Sequence, residues 1–219
     1  MTILAMIHTV AGIVPTFAAL AQEYLPGVST WHIVDEGLLA RIIAEGRVEP
    51  AMCRRVLSLA ANAEADGATA ILLTCSAMSP AADLARPLLS IPIYKVDEPM
   101  VEKALELGQR IGVFATVPAT LESVSGLVRQ VAARKGRAVE VVTCLRAEAM
   151  AAARAGRREE HDALVRAAVR ELAPKSDVVV MAQASAAQAL REGDLTALGV
   201  PLLTSPRLAM ERLRGELLG

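Results

Sequence analysis

Residues 71–80 of the chain read ILLTCSAMSP, and residues 178–187 read VVVMAQASAA. Each stretch is an apolar run typical of a buried strand, followed by a polar residue and then by small residues typical of a helix start. The two stretches agree in pattern when one is moved along the chain by about 108 residues, and Cys75 then falls on Gln183. A thiol in the first copy therefore corresponds to an amide in the second.

The same spacing recurs elsewhere in the chain. Three further landmarks repeat at nearly this distance: Thr9 with Thr116, residues 45–47 with residues 155–157, and residues 91–93 with residues 200–202. Self-similarity at one spacing, in one order, predicts two copies of a single supersecondary unit.

Short aliphatic or β-branched runs alternate with helical segments rich in Ala, Leu, Arg and Glu. The predicted strands are residues 3–7, 30–34, 69–74, 92–96, 110–115, 138–143, 177–182 and 201–204, and the clearest predicted helices are residues 49–65, 98–107, 118–134 and 159–172. Such alternation predicts parallel sheets covered by helices. We expect an α/β protein of two lobes related by a pseudo-twofold axis, each a four-stranded parallel sheet flanked by helices, with the active site in the cleft between them.

The boundary between the lobes is predicted near residues 96–99, where no low-complexity linker occurs. The N-terminal lobe would then span residues 1–97 and carry Cys75, and the C-terminal lobe would span residues 98–219 and carry Gln183. For the last helix, about residues 206–219, we also consider packing back on the first lobe.

Composition excludes several classes of function. The net charge is −1, from 23 basic and 24 acidic residues, and there are only two Phe, two Tyr and one Trp. This balance argues against a nucleic-acid partner. No apolar run is long enough to cross a bilayer, and the apolar N-terminus lacks the cationic region of a signal peptide. Three cysteines without metal-ligand spacing suit a reducing compartment, so we expect a cytoplasmic protein without a membrane partner.

The polar residues of the repeat fall at the carboxyl ends of the predicted strands, where open parallel sheets bind ligands. The candidates are His8, Thr9, Thr74, Cys75, Ser76, Thr116, Gln183 and Ser185. Hydroxyl groups and backbone N–H groups at helix starts bind carboxylates, and a helix start is expected to shift the thiol of Cys75 toward thiolate. A buried structural cysteine is the alternative for Cys75, and it is the interpretation we adopt for Cys53 and Cys144.

Other residues carry weaker signals. His32, Asp35 and the pair His161-Asp162 are interpreted as structural. The motifs HExxH, paired CxxC, GxGxxG and GxxxxGK are absent from the sequence. We therefore expect neither a metal ion nor a cofactor.

The paired lobes and the turn Thr74-Cys75-Ser76 resemble the aspartate/glutamate/hydantoin racemase superfamily, which includes cofactor-independent racemases, maleate isomerase and arylmalonate decarboxylase. In its two-thiol members a cysteine at the end of the third strand of each lobe flanks the substrate. Cys75 matches the first thiol. The second usually lies in a turn similar to LGCAGM, and the corresponding MAQASA places Gln183 there. The resemblance implies an isomerase, and a homodimer is common in similar proteins.

A glutamine amide does not titrate, so it cannot act as the second acid or base, although its N–H groups can stabilise an anion. The sequence therefore predicts a cofactor-independent enzyme that acts at the carbon next to a carboxylate of a small acid, amino acid or hydantoin-like substrate. Cys75 would be the base or nucleophile, and Gln183 a neutral donor. A one-thiol decarboxylase or lyase of the same superfamily is one alternative, and a non-catalytic module that binds a small acid is the other.

Overall fold

A computed structural model of the protein describes residues 1–191, 193–194 and 197–219. The chain forms two compact units, one made of Met1–Asp97 with Pro206–Gly219 and the other of Glu98–Ser205. Each unit contains one four-stranded sheet in which all neighbouring strands are parallel. The predicted α/β class with two four-stranded parallel sheets is confirmed.

The first unit follows the predicted alternation of strands and helices. Its elements are β1 (Ile3–His8), α1 (Val14–Tyr24), β2 (Ser29–Val34), α2 (Glu36–Glu45), α3 (Pro50–Ala65), β3 (Ala70–Leu73), α4 (Ser79–Ala85) and β4 (Ile93–Lys95). The C-terminal helix (Ser205–Leu218) sends Ala209, Met210 and Leu213 into the core cluster that also holds Leu4 and Phe17. The end of the chain therefore packs with the first unit.

The second unit repeats this order. Its elements are α5 (Glu98–Leu107), β5 (Arg110–Ala115), α6 (Pro118–Arg134), β6 (Glu140–Leu145), α7 (Ala147–Arg154), α8 (Arg158–Leu172), β7 (Val178–Met181), α9 (Ala184–Ala187) and β8 (Leu202–Thr204). Its core packs Phe114, Val179 and Met181 of the sheet against Val165 and Val169 of α8. Within the described ranges, no helix is long and apolar enough to span a membrane.

The strand order is β2-β1-β3-β4 in the first sheet and β6-β5-β7-β8 in the second. In both sheets the second strand lies on one side of the first strand, and the chain then crosses to the other side to form the third strand. The strand order therefore reverses between β1 and β3 and between β5 and β7. Ligands of open parallel sheets bind beyond the carboxyl ends of the strands at this reversal. The topology thus places the ends of β1 and β3, and those of β5 and β7, where a site is expected.

One strand differs from its predicted position. β6 pairs with β5 from Glu140 through Leu145, whereas the sequence predicted residues 138–143. The apolar residues Ala138 and Val139 suggested an earlier start, but Ala138 is exposed and the ladder extends through Cys144, which pairs with Phe114. Pairing with β5 decides the register here, because β propensity does not mark strand ends well.

Equivalent residues of the two units make equivalent backbone contacts. Thr69 accepts a hydrogen bond from the N–H of Ile3 (2.9 Å) at the start of β1, and Asp177 accepts one from the N–H of Arg110 (2.8 Å) at the start of β5. Gly46 and Gly156, which the repeat aligns, follow α2 and α7 with φ values of 68° and 72°. Glycine adopts this left-handed conformation without steric cost. The sequence repeat is therefore a structural repeat.

Gly112 on β5 is expected to tolerate no side chain. A Cβ atom there would lie 2.4 Å from Ser176 Oγ and 2.9 Å from Leu172 Cγ. We expect Gly112→Ala to lower the free energy of unfolding by about 1–3 kcal/mol, as overpacking does. Urea unfolding measures this, with Gly126→Ala as the control: its Cβ meets nothing within 4 Å in α6, so alanine should stabilise the helix. Equal effects of the two substitutions would contradict this packing.

Candidate functional site

The ends of β1 and β3 bring Thr9 and Cys75 together in the first unit. Thr9 directly follows β1 and is 4% exposed, and Cys75 lies just beyond β3 in extended backbone. The Thr9 side chain and the backbone N–H groups of Met78 and Ala77 act to lower the pKa of the thiol, and the Met78 N–H donates to the Cys75 carbonyl at 2.9 Å. The 3-10 turn Ser76–Met78 supplies these N–H groups and leads into α4. A hydroxyl and two amides thus surround one sulfur atom.

The pKa of the Cys75 thiol is shifted in the direction opposite to the sequence-based expectation. Burial raises it above its ordinary value, and the Asp97 carboxylate adds to the rise. Hydrogen bonds from Thr9, Met78 and Ala77 act against this but do not overcome it. The expectation that the helix start favours the thiolate is wrong because desolvation is the larger effect. Burial and the Asp97 carboxylate therefore favour the protonated form of the Cys75 thiol.

Asp97 is a buried acid that the sequence analysis did not include among the candidates. It is 0% exposed, and Ser79 Oγ lies 2.8 Å from its Oδ1 and 2.9 Å from its Oδ2. Ser79 is the first residue of α4, and Asp97 follows β4. Its position after a predicted strand was the available signal, because it shares this position with the other candidates.

His8, Thr74 and His32 form a chain of hydrogen bonds across three neighbouring strands. Thr74 Oγ1 donates to the carbonyl of Ile7 (2.9 Å) and lies 2.9 Å from His8 Nδ1. The other ring nitrogen of His8, Nε2, lies 3.0 Å from His32 Nδ1. From the sequence His32 was interpreted as structural. In the register of β1 and β2, His32 pairs with Met6 and His8 with Val34, so the two histidines meet diagonally through their side chains.

The tautomer of His8 follows from this geometry. A threonine hydroxyl has one proton, and the Ile7 carbonyl can only accept, so Thr74 donates there and accepts from His8 Nδ1–H. His8 Nε2 is then an acceptor, and His32 Nδ1–H donates to it. Both ring nitrogens of His8 are engaged and the side chain is 0% exposed. A direct bond from His8 to a ligand would require one of these bonds to break.

Acid is expected to destabilise the protein through His8. Burial and the neighbouring His32 lower the pKa of His8 from 6.5 to about 4. The unfolded chain therefore binds a proton that the folded protein does not, and stability falls by about 3 kcal/mol as pH drops from 6.5 to 4. Urea unfolding across this range checks the slope. His8→Asn should flatten it and His161→Asn should not, and a slope unchanged by His8→Asn would contradict the assignment.

The second unit holds an equivalent pair, Thr116 and Gln183. Thr116 directly follows β5 and is 2% exposed. Its backbone N–H and its hydroxyl both donate to Oε1 of Gln183, at 2.6 Å and 2.9 Å. Gln183 precedes α9 with φ and ψ of −131° and 119°, close to the −103° and 106° of Cys75. The repeat therefore pairs a threonine with the residue beyond the neighbouring strand in both units.

The two bonds from Thr116 fix the orientation of the Gln183 amide. A backbone N–H can only donate, so the amide oxygen must face Thr116 and the NH₂ group must point away from it. In the described part of the chain no hydrogen-bond partner of this NH₂ group is found, and Gln183 is partly exposed. Gln183 thus offers N–H donors and no titratable group.

The remaining candidates lie beside these pairs. Ser76 is buried in the turn after Cys75, and Ser185 is half-buried in α9. Cys53 lies in α3 and Cys144 at the end of β6, and burial raises the pKa of both thiols. Among the described residues, no group of three or more His, Cys, Asp and Glu side chains could hold a metal ion.

Solved structures with the same fold are racemases. The glutamate racemase from Bacillus anthracis superimposes with a TM-score of 0.76 at 18% identity, over 99% of this chain and 82% of that one. The aspartate racemase from Picrophilus torridus gives 0.75 at 12% identity, over 98% and 95%. The allantoin racemase from Klebsiella pneumoniae gives 0.68 at 17% identity, over 100% and 88%. At these identities the likeness shows a shared fold.

No curated protein matches the sequence. The sequence profile described as Asp/Glu/Hydantoin racemase matches residues 6–213, which include the end of β1, all the candidate residues and most of the C-terminal helix. This match covers nearly the whole chain, and it shows that the protein belongs to the Asp/Glu/Hydantoin racemase family.

Proposed function

We propose that this protein catalyses proton transfer at the carbon next to a carboxylate of a small acid, amino acid or hydantoin-like substrate, without a cofactor. The observation that carries the proposal is the pair of equivalent threonine contacts, Thr9 with Cys75 and Thr116 with Gln183. Both pairs lie at the strand reversal where open parallel sheets bind ligands. Family membership supports a reaction of the racemase type.

In this proposal Cys75 transfers the proton. Its thiol is the titratable group of the Thr9–Cys75 pair, and Thr9 orients it. The N–H groups of the turn Ser76–Met78 offer donors to a carboxylate or to the enolate that forms beside it. Because only one of the two equivalent positions holds a thiol, proton transfer takes place on one face of the planar carbanion.

In the second unit, Gln183 acts as a neutral hydrogen-bond donor. Thr116 holds the amide oxygen, so the NH₂ group is presented in one orientation. Such a donor stabilises negative charge on a carboxylate or an enolate oxygen without changing its own protonation state. Thr116 is thereby a positioning residue for Gln183.

Incubation in heavy water with a panel of compounds tests this function. The panel contains both enantiomers of glutamate and aspartate, allantoin, an arylmalonate and maleate. NMR follows deuterium at the carbon next to the carboxylate, or next to the ring carbonyl in allantoin. The proposal predicts deuterium in at least one compound with the wild type and none with Cys75→Ser. Tight binding of a panel compound without exchange or turnover would instead identify a binding module and overturn the proposal.

A one-thiol decarboxylase is the second candidate, and the raised pKa of Cys75 favours it. Loss of carbon dioxide from a malonate-type acid leaves a carbanion that needs a proton and no base. A thiol that burial and Asp97 keep protonated is suited to donate it. The thiolate left behind regains its proton from water. Carbon dioxide release from the arylmalonate identifies this reaction.

The pH dependence of the rate is expected to separate the two candidates. If Cys75 removes a proton, kcat/KM should rise through the alkaline range, because the raised pKa leaves little thiolate at neutral pH. If Cys75 donates a proton to a carbanion, kcat/KM should be flat at neutral pH and fall in alkali. If kcat/KM neither rises nor falls in the alkaline range, both roles of the thiol are contradicted.

A further inference from the structure

We propose that His8 and His32 are positioning residues for Cys75: through Thr74 they fix the end of β3 that carries the thiol. This inference rests on the proposed role of Cys75 in the reaction. It assigns a purpose to a hydrogen-bonded pair of histidines on adjacent strands, of which His8 is buried and His32 is partly exposed.

Two hydrogen bonds hold Thr74 to the carbonyl of Ile7. Its backbone N–H donates to the Ile7 carbonyl at 3.0 Å, and its hydroxyl donates to the same carbonyl at 2.9 Å. The hydroxyl oxygen then accepts from His8 Nδ1–H at 2.9 Å. Thr74 is 4% exposed and directly precedes Cys75, so these hydrogen bonds restrain the backbone next to the thiol.

His32 stabilises the tautomer of His8 that donates to Thr74. A neutral His8 ring donates from Nδ1 to Thr74 only when Nε2 is the acceptor nitrogen, and a donor at Nε2 stabilises that tautomer. His32 Nδ1 lies 3.0 Å from this nitrogen, with the two rings stacked at a centroid distance of 5.2 Å. Phe17 also packs against His8, with ring centroids 5.5 Å apart and the rings tilted by 59°. The chain therefore connects β2, β1 and β3 at their carboxyl ends.

The hydrogen bonds of His8 and His32 distinguish a positioning role from simple packing. A structural histidine at the position of His8 needs only to fill space and satisfy its polar atoms. Here the pattern of donors is directional, because each of the three groups donates to the next toward the Ile7 carbonyl. A substitution that retains the donor should therefore preserve the position of Cys75, and an apolar one of similar size should not.

The test compares donor-retaining and apolar variants at both histidines. Asparagine at either position places an amide N–H near Nδ1, and leucine provides none. We expect His8→Leu and His32→Leu to change the rate at which iodoacetamide alkylates Cys75 by about tenfold relative to Cys53, as expected for a misplaced group. His8→Asn and His32→Asn should remain near the wild-type ratio. Because His32 is on an edge strand and partly exposed, its variants keep the test decisive if His8→Leu does not fold.

Nitrogen NMR of the histidine side chains gives an independent result. The proposal predicts a proton on Nδ1 of His8 and loss of that tautomer in Thr74→Val. A proton on Nε2 of His8 in the wild type, or an unchanged alkylation ratio in both leucine variants, would overturn it. Once a substrate is known, the leucine variants should lower kcat and leave KM unchanged. If no panel compound exchanges, the proposed function fails, while alkylation and NMR still decide the role of the histidines.

Discussion

Replacing Cys75 with serine is expected to lower turnover by at least about 10³-fold, because a serine hydroxyl does not titrate in the accessible range and is a much poorer acid and base than a thiol. The substitution should leave the fold intact, since serine is nearly isosteric and can retain the contact with Thr9. Steady-state rates on the compound that exchanges deuterium measure the loss.

Cys53→Ser and Cys144→Ser are the matched controls for this substitution. Both residues are thiols with pKa values raised by burial, yet neither lies beyond the end of β3 or pairs with a threonine after β1. Their rates should stay within about twofold of wild type. Turnover by Cys75→Ser close to that of the controls would remove Cys75 from the mechanism.

Gln183→Cys is expected to create racemisation in a protein that otherwise exchanges on one face. The repeat aligns position 183 with Cys75, and the backbone of the two residues is alike, with φ and ψ of −131° and 119° against −103° and 106°. Thr116 already donates to the side chain at this position. A thiol there would supply the second acid or base that inversion requires. Chiral chromatography of the product measures it.

Gln183→Ser is the control for this gain of function, since it removes the amide without adding a group that titrates near neutral pH. Gln183→Ser should weaken substrate binding and leave the configuration of the product unchanged. Racemisation by the serine variant, or none by a folded cysteine variant that still exchanges deuterium, would contradict the role given to position 183.

The fold could be predicted from the sequence because its two strongest signals agree. Strand-sized aliphatic runs alternated with helical segments, and the repeat predicted that both halves would use the same order. The runs around β3 and β7 are buried along their whole length, which is why they stood out. At β6 the prediction was two residues too early, because the pairing partner β5 sets that strand's ends.

The site could be predicted at the level of position but not of hydrogen bonding. The repeat aligned Thr9 with Thr116 and Cys75 with Gln183, and all four residues were expected at the carboxyl ends of predicted strands. Which atoms donate depends on rotamers and register. Thr116 was expected to bind a carboxylate directly, whereas its hydroxyl donates to Gln183.

The direction of the Cys75 pKa shift could not be predicted from the sequence either, because it also depends on packing. Desolvation is the largest cause of the raised pKa, and the buried carboxylate of Asp97, which follows β4, adds to it. The sequence pattern indicates only the helix start after Cys75, and a helix start lowers the pKa of a thiol. Only the packed structure shows that desolvation is the larger effect.

The most direct test of one-thiol proton transfer compares two rates in one sample of wild-type enzyme. A single enantiomer of the exchanging compound is incubated in heavy water, and NMR and chiral chromatography follow deuterium uptake and optical purity together. With one thiol acting on one face, deuterium should enter the carbon next to the carboxylate while optical purity is retained. Loss of optical purity at the same rate as deuterium uptake would show that a second group protonates the opposite face, and would contradict the account.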